Sequence, residues 1–270
     1  MNQDGWLFTK SCILGDGSLT PITREGRNTV MISFTHSQEQ KSWLEAKAQK
    51  LNEVFGRNCT VGDGDYYDKR TGKTYKRSQF ALTSKDLIPL YEVAYPGGVK
   101  TFTPELLEGL GKEHLAVVWA DDGCLEKKER IGRLNLYEPE DQCNIVATWI
   151  ESICGAKGRY EDYEKSGIGR LRFPASEMLK IALAIRDFIH PSLFYKVDMQ
   201  YKRSTSVAFA LTASNPNVKL PLIDEVPELS ELTRKEWYGY AESIGLTVPG
   251  SRTSKEIRTR IINGLKLVSG

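Results

Sequence analysis

Two aspartates in this chain stand in the same awkward place. Asp16 closes the segment Ser11-Cys12-Ile13-Leu14-Gly15-Asp16-Gly17, and Asp122 closes Leu115-Ala116-Val117-Val118-Trp119-Ala120-Asp121-Asp122-Gly123. Each comes after a stretch of small and apolar residues that reads as a helix, and each is succeeded by glycine at the expected helix stop. An aspartate there faces the negative end of the helix dipole. A divalent cation would reverse the sign of that interaction. Small residues four apart, Ser11 with Gly15 and Ala116 with Ala120, let two such helices approach closely. Asp16 and Asp122 would then emerge side by side and repel unless cations lay between them. Hard oxygen ligands at an open site suit Mg²⁺, which activates water and stabilises a phosphoryl leaving oxygen.

The segments downstream of the two copies are also alike. The first copy leads into a β-prone run, Thr29 to Thr35, then into an amphipathic helix begun by Ser37, with Gln40 placed for a capping box. Trp43, Leu44, Ala48, Leu51 and Phe55 form its apolar stripe. The second leads into Arg133 to Tyr137, then a helix with Ile145, Val146, Trp149, Ile150 and Ile153 on one face, stopped at Gly155. Each half continues with a polar hairpin, near 60–83 and 157–173, and a closing helix, near 85–95 and 177–189. The expected fold class is therefore α+β: two pseudo-symmetric αββαββα halves, 1–103 and 104–222, with antiparallel sheets wet on one face. A small helical module, 223–270, should come last. In it Thr233 opens a helix carrying Trp237 and Ala241, and Ser254 caps a second one carrying Ile257, Ile261 and Leu265.

Composition bounds the function. With 270 residues, 40% hydrophobic and 27% charged, the chain can build a sizeable core and is neither collagen-like nor disordered. No apolar run approaches the roughly 20 residues of a membrane helix, and the opening residues resemble no export or transit signal. Five cysteines, odd in number and without a C-x-x-C spacing, read as reduced intracellular thiols. The net charge is only +2, so any nucleic-acid surface must be made by sorting. Lys69 to Arg77 holds five bases and no acid, and residues 250–270 hold Arg252, Lys255, Arg258, Arg260 and Lys266 against Glu256.

Together these segments resemble the LAGLIDADG homing endonucleases, in their single-chain, two-motif form. The second copy is the better match; the first departs at Thr9, Lys10 and Ser11 but keeps Ile13 to Gly17. Lys100-Thr101-Phe102-Thr103-Pro104 is similar to the family's Lys-Thr-x-x-Pro element, and Pro191 to Lys196 to its closing Pro…Tyr-Lys element. The likeness spans about residues 5–200. It implies a Mg²⁺-dependent, site-specific double-strand DNA endonuclease, with Ca²⁺ supporting binding but not cleavage. Asp16 and Asp122 would hold the metals, helped by the carbonyls of Gly15 and Asp121. Lys100 and Lys196 would serve one active site each, near the scissile phosphate. The implied saddle-shaped sheets would lie in the major groove of a long target site. Candidate DNA contacts are Arg24, Arg27, Lys69, Arg70, Lys73, Tyr75, Arg77, Arg133, Asn135, Arg159, Arg170 and Arg172. In the last module, which resembles a SAP-type helix-extended-helix, Arg252, Lys255 and Arg258 join them. The expected protein is a monomer of intron-homing type, in a bacterial or phage cytoplasm or an organelle.

Other motifs fail. Gly72-Lys73-Thr74 lacks the earlier glycine of a phosphate loop, since Tyr67 occupies that position. Asp63-Gly64-Asp65 lacks the rest of a calcium loop. His36, His114 and His190 have no metal-ligand spacing and read as structural. The rival reading is an intron maturase or a DNA-binding regulator on the same fold; retention of both acids favours the nuclease. An intein-borne domain would need splicing blocks, and the lack of a terminal asparagine favours a free-standing enzyme.

Overall fold

The computed structural model describes residues 2–24, 27–163, 166–199, 233, 237 and 253–269. The chain divides into two compact units, Met1–Asp198 and Met199–Gly270.

The first unit is built twice from one plan. Its first half runs α1 (Gln3–Leu14), β1 (Ser18–Arg24), β2 (Arg27–Ser37), α2 (Lys41–Phe55), β3 (Gly62–Asp68), β4 (Lys73–Ser84) and α3 (Ile88–Ala94). After a short turn, α4 (Pro104–Leu107), the second half runs α5 (Lys112–Asp122), β5 (Gly123–Glu126), β6 (Ile131–Glu138), α6 (Glu140–Cys154), β7 (Arg159–Asp162), β8 (Gly169–Phe173) and α7 (Ala175–Ile185). Both sheets are antiparallel and four-stranded, in the orders β1-β2-β4-β3 and β5-β6-β8-β7. The α+β class and the doubled αββαββα plan stand as expected.

Alternation decides which face of each sheet meets the helices. In β4, Ser78, Phe80, Leu82 and Ser84 are buried, whereas Lys73, Tyr75, Gln79, Ala81 and Thr83 face outward. Phe80 opposes Phe34, and Leu82 opposes Ile32, so the apolar face continues across strands. In the second sheet, Leu134, Leu171 and Phe173 turn inward, and Trp119 of α5 meets the Phe173 ring edge-on at 5.8 Å.

Several local expectations change. The helix after β2 does not start at Ser37 with a capping box. Ser37 leads a 3₁₀ turn, Gln38–Gln40, and makes no side-chain cap. The Gln40 amide oxygen instead lies 3.1 Å from His36 Nδ1. The glycines after the paired acids do not take left-handed backbone. Gly123 has φ −73° and Gly17 is not among the positive-φ glycines; Gly15, which caps α1 before Asp16, has φ −86°. Space is what Gly17 and Gly123 provide. A Cβ on Gly17 would collide with the Cys12 carbonyl, and one on Gly123 with the Trp119 carbonyl and ring. By contrast Gly155 ends α6 with φ 68°, the left-handed stop its position predicts.

In the second unit, α8 spans Ser254–Ser269. Its cap is Thr253 rather than Ser254. The Thr253 hydroxyl accepts from Glu256 N, and Glu256 Oε2 accepts from Thr253 N at 2.8 Å, a reciprocal capping box. Ile257 and Ile261 are buried, as is Trp237, whose amide bonds the Thr233 carbonyl. The rest of the expected helix 232–244, Arg252 and the Leu265 side chain lie outside the described residues.

Candidate active site

Helices α1 and α5 pack against each other. Residues from Thr9 to Leu14 and from His114 to Ala120 are all buried, so both helices are core elements on every side. Ser11, Ala116 and Ala120, expected to allow this approach, are almost wholly buried. The residues at which the first copy departs from its motif are absorbed locally. Thr9 Oγ1 and Ser11 Oγ donate to their own helix, and Lys10 Nζ donates to the carbonyls of Glu105 and Glu108, both at 2.9 Å, anchoring the turn that joins the halves.

At the ends of α1 and α5, acids and lysines gather. Lys100 Nζ donates to the Gly15 carbonyl at 3.0 Å. Lys196 Nζ donates to the Ala120 and Asp121 carbonyls at 2.6 and 2.9 Å. Each lysine thus grips the carbonyl just before one of the paired acids, in pseudo-symmetric fashion. Burial lowers the pKa of both lysines, against the nearby acids that hold it up: first Asp122 for Lys100, first Asp121 for Lys196. A bulge in β6 between Leu134 and Glu138 interrupts the pairing, and Glu138 joins the acids that sustain the Lys100 charge. Asn135 Nδ2 donates to the Asp122 carbonyl at 3.2 Å, so this candidate DNA contact secures the end of α5.

Asp16 and Asp122 are electrostatically unsettled. Burial and then the Asp121 charge raise the Asp16 pKa. Burial, Asp16 and Asp121 push Asp122 up to about 8. Among the described residues the Asp122 carboxylate accepts no hydrogen bond, and Asp16 Oδ2 has only His36 Nδ1, at 3.6 Å. Asp122 is half-buried and Asp16 opens to solvent; both keep unused lone pairs, and such hard oxygens are the donor type that a divalent cation takes.

Asp121 is different, and sequence reasoning gave its side chain no part. Its carboxylate accepts from Lys47 Nζ at 2.8 and 3.0 Å, from Trp43 Nε1 at 2.7 Å and from Asp16 N at 3.2 Å. Both partners of the Lys47–Asp121 pair have 0% side-chain exposure. Lys47 Nζ also lies 2.9 Å from His36 Nε2. Burial and the Lys47 charge lower the His36 pKa, so its imidazole is neutral near pH 7. Asp16, His36 and Asp121 could bring ligand atoms within 4.8 Å of one another. The Asp121 oxygens are already met by an ammonium and an indole, so that trio is a satisfied network rather than a vacant chelate.

The basic candidates separate into two kinds. Lys69 and Arg70 sit in the exposed β3–β4 turn, and Lys73 and Tyr75 are exposed on β4. Arg77 lies 5.1 Å over the Tyr66 ring. In the second sheet, register places Arg133, Arg172 and Arg159 side by side across β6, β8 and β7. Not all are available. Arg133 pairs with Glu126 and Glu161, and Arg170 Nε meets Glu161 at 2.6 Å. The side chains of Arg24 and Arg27 lie outside the described residues, although the two pair at the β1–β2 end. On α8, Lys255 is exposed and Arg258 half-buried. No helix among the described residues is long and apolar enough to cross a membrane.

A family model described as the LAGLIDADG DNA endonuclease family matches residues 12–179. No curated protein matches the chain in sequence. Among solved structures, the homing endonuclease I-WcaI bound to its DNA recognition sequence is 14% identical, covering 74% of this chain and 88% of its own, with a TM-score of 0.62. Mesophilic variants of the homing endonuclease I-DmoI are 14% identical over 71% of this chain and 97% of theirs, TM-score 0.49. I-DmoI in complex with DNA and Mn is 17% identical over 68% and 97%, TM-score 0.47.

Proposed function

Because this chain belongs to the LAGLIDADG DNA endonuclease family, we propose that it is a site-specific double-strand DNA endonuclease of the homing type, hydrolysing one phosphodiester in each strand of a long target. The observation that carries this reading is the cluster at the ends of α1 and α5: two underbonded carboxylates with raised pKa and one anchored lysine beside each.

Asp16 and Asp122 would hold divalent cations, Mg²⁺ in the working enzyme, with the Gly15 and Asp121 carbonyls as further oxygens through the lone pairs that Lys100 and Lys196 leave open. When bound, such a cation supplies charge for the phosphoryl oxygens and lowers the pKa of water. The chain's own part is positional. Lys100 and Lys196 are fixed through backbone carbonyls rather than through the acids, so their charge is held close to the carboxylates without neutralising them. A phosphate between the acids and the lysines would meet cationic donors aimed at the oxygens where charge develops. Ca²⁺ would support binding without cleavage.

Double-stranded DNA would lie along the outer faces of both sheets. The exposed turn with Lys69 and Arg70, together with Lys73, Tyr75 and Arg77, offers phosphate and base-edge donors from the first sheet. Arg159 and Arg172 offer them from the second. Arg133, Arg170 and Asn135 contribute through carboxylate or carbonyl partners that DNA would have to share. The same reading divides the chain into halves 1–103 and 104–222 and a SAP-like module, 223–270, whose Arg252, Lys255 and Arg258 would add phosphate contacts. One chain carries both halves, which favours a monomer, working inside the cell.

The test is a cleavage-site selection from a randomised DNA library with Mg²⁺, with Ca²⁺ as the binding-only arm. Recovery of one long site cut on both strands is expected. Asp16→Asn should abolish cleavage of one strand or both while leaving affinity within about threefold. Native-rate cutting by that variant would remove Asp16 from the reaction.

A further inference from the structure

The two ends of the site are not equivalent. Asp121, in the second half, is held by Lys47 and Trp43 of the first half. The matching position before Asp16 is Gly15, whose missing Cβ leaves the space that the Asp121 carboxylate fills. Helices α2 and α6 are both 15 residues long, and the seventh position is Lys47 in one and Val146 in the other. Val146 is buried and cannot donate. Among the described residues, only the Asp16 side therefore has an acid–lysine–histidine chain behind it.

Proton counting sharpens this. An ammonium has three N–H donors and no lone pair. Lys47 Nζ has three close acceptors: both Asp121 oxygens and His36 Nε2. His36 must then accept at Nε2 and carry its own proton on Nδ1, the nitrogen facing Gln40 Oε1 and Asp16 Oδ2. Lys47 thus sets which face of His36 is a donor, while Asp121 fixes the Asp16 backbone through its amide.

We propose that Lys47, acting through Asp121 and His36, is a positioning residue chiefly for Asp16, so that cleavage of one DNA strand depends on it more strongly than cleavage of the other. The strand-specific part rests on the endonuclease reading; the tautomer of His36 does not.

Two measurements test it. On the selected target, with each strand end-labelled, Lys47→Met should slow one nick by about tenfold relative to the other. Trp43→Phe keeps an aromatic side chain, though a smaller one, and removes the indole donor to Asp121; it should shift the same ratio in the same direction by about fivefold. Equal slowing of both strands in the variants overturns the proposal, and Trp43→Phe decides alone if Lys47→Met does not fold. Separately, imidazole nitrogen shifts in the free, metal-free protein should show His36 protonated at Nδ1, with that preference lost in a folded Lys47→Met or weakened in Trp43→Phe. An Nε2-protonated His36 in the parent overturns the role of Lys47. A parent chain that cuts neither strand refutes the endonuclease reading and the strand claim with it, while the nitrogen shifts still decide whether Lys47 orients His36.

Discussion

Asp121 and Asp122 are neighbours in the chain and opposites in chemistry. One is saturated by Lys47, Trp43 and the Asp16 amide; the other accepts nothing from the described residues. The difference fixes the sign of a pH effect. An aspartate in an unfolded chain titrates near 3.9, roughly, whereas Asp122 in the fold is pushed up to about 8. The folded state therefore holds this proton more tightly. That stabilisation is complete below the unfolded value and is lost as pH rises through the folded one. In chelator, Asp122→Asn should melt higher than the parent at about pH 8 and lose most of that advantage at about pH 4. An advantage independent of pH would contradict the assignment, and Ca²⁺ should raise the parent's midpoint at the higher pH. At this scale repetition in the sequence marked Asp16 and Asp122, and the family resemblance added Lys100 and Lys196. The sequence hid the Asp121 side chain and His36, which have no repeat partner of their type. Lys47 did leave a signal: it is a lysine four residues from both Trp43 and Leu51, inside an apolar stripe, where only a paired charge is tolerable.

Among the elements, helices and hairpins were legible because their periodicities are long and their turns well marked. Helix ends were less so, since competing partners decide them. Gln40 has His36 within reach and forms no capping box; Thr253, not Ser254, finds Glu256. The Asp-Gly endings show the same override. Their glycines read as left-handed stops, but they answer to a strand that must leave the helix across its own last turn. Gly123→Ala should accordingly cost about 1–3 kcal/mol through overpacking against Trp119, although its φ is ordinary. Urea unfolding of the parent and variant measures it. A change within about 0.5 kcal/mol would show that the Trp119 turn gives way.

For the whole molecule, a near-neutral chain has to concentrate charge locally to hold a polyanion. The β3–β4 turn does so openly, whereas the second sheet pairs Arg133 and Arg170 with Glu161. Composition revealed the first of these, but only strand register could reveal the second. Binding should weaken with salt, and Lys69→Ala with Lys73→Ala should lower the slope of log affinity against log salt by about 2. An unchanged slope would place DNA elsewhere. The buried tie between Lys47 and Asp121 has a last consequence, for ancestry and for engineering. Two copies of the first half would each bring a lysine with no acid to meet. Two copies of the second would each bring an acid facing valine. Each stranded charge costs about 3–5 kcal/mol, so neither half can serve as its own mate, and chimaeras that graft one half onto a stranger must carry both ends of the tie across together.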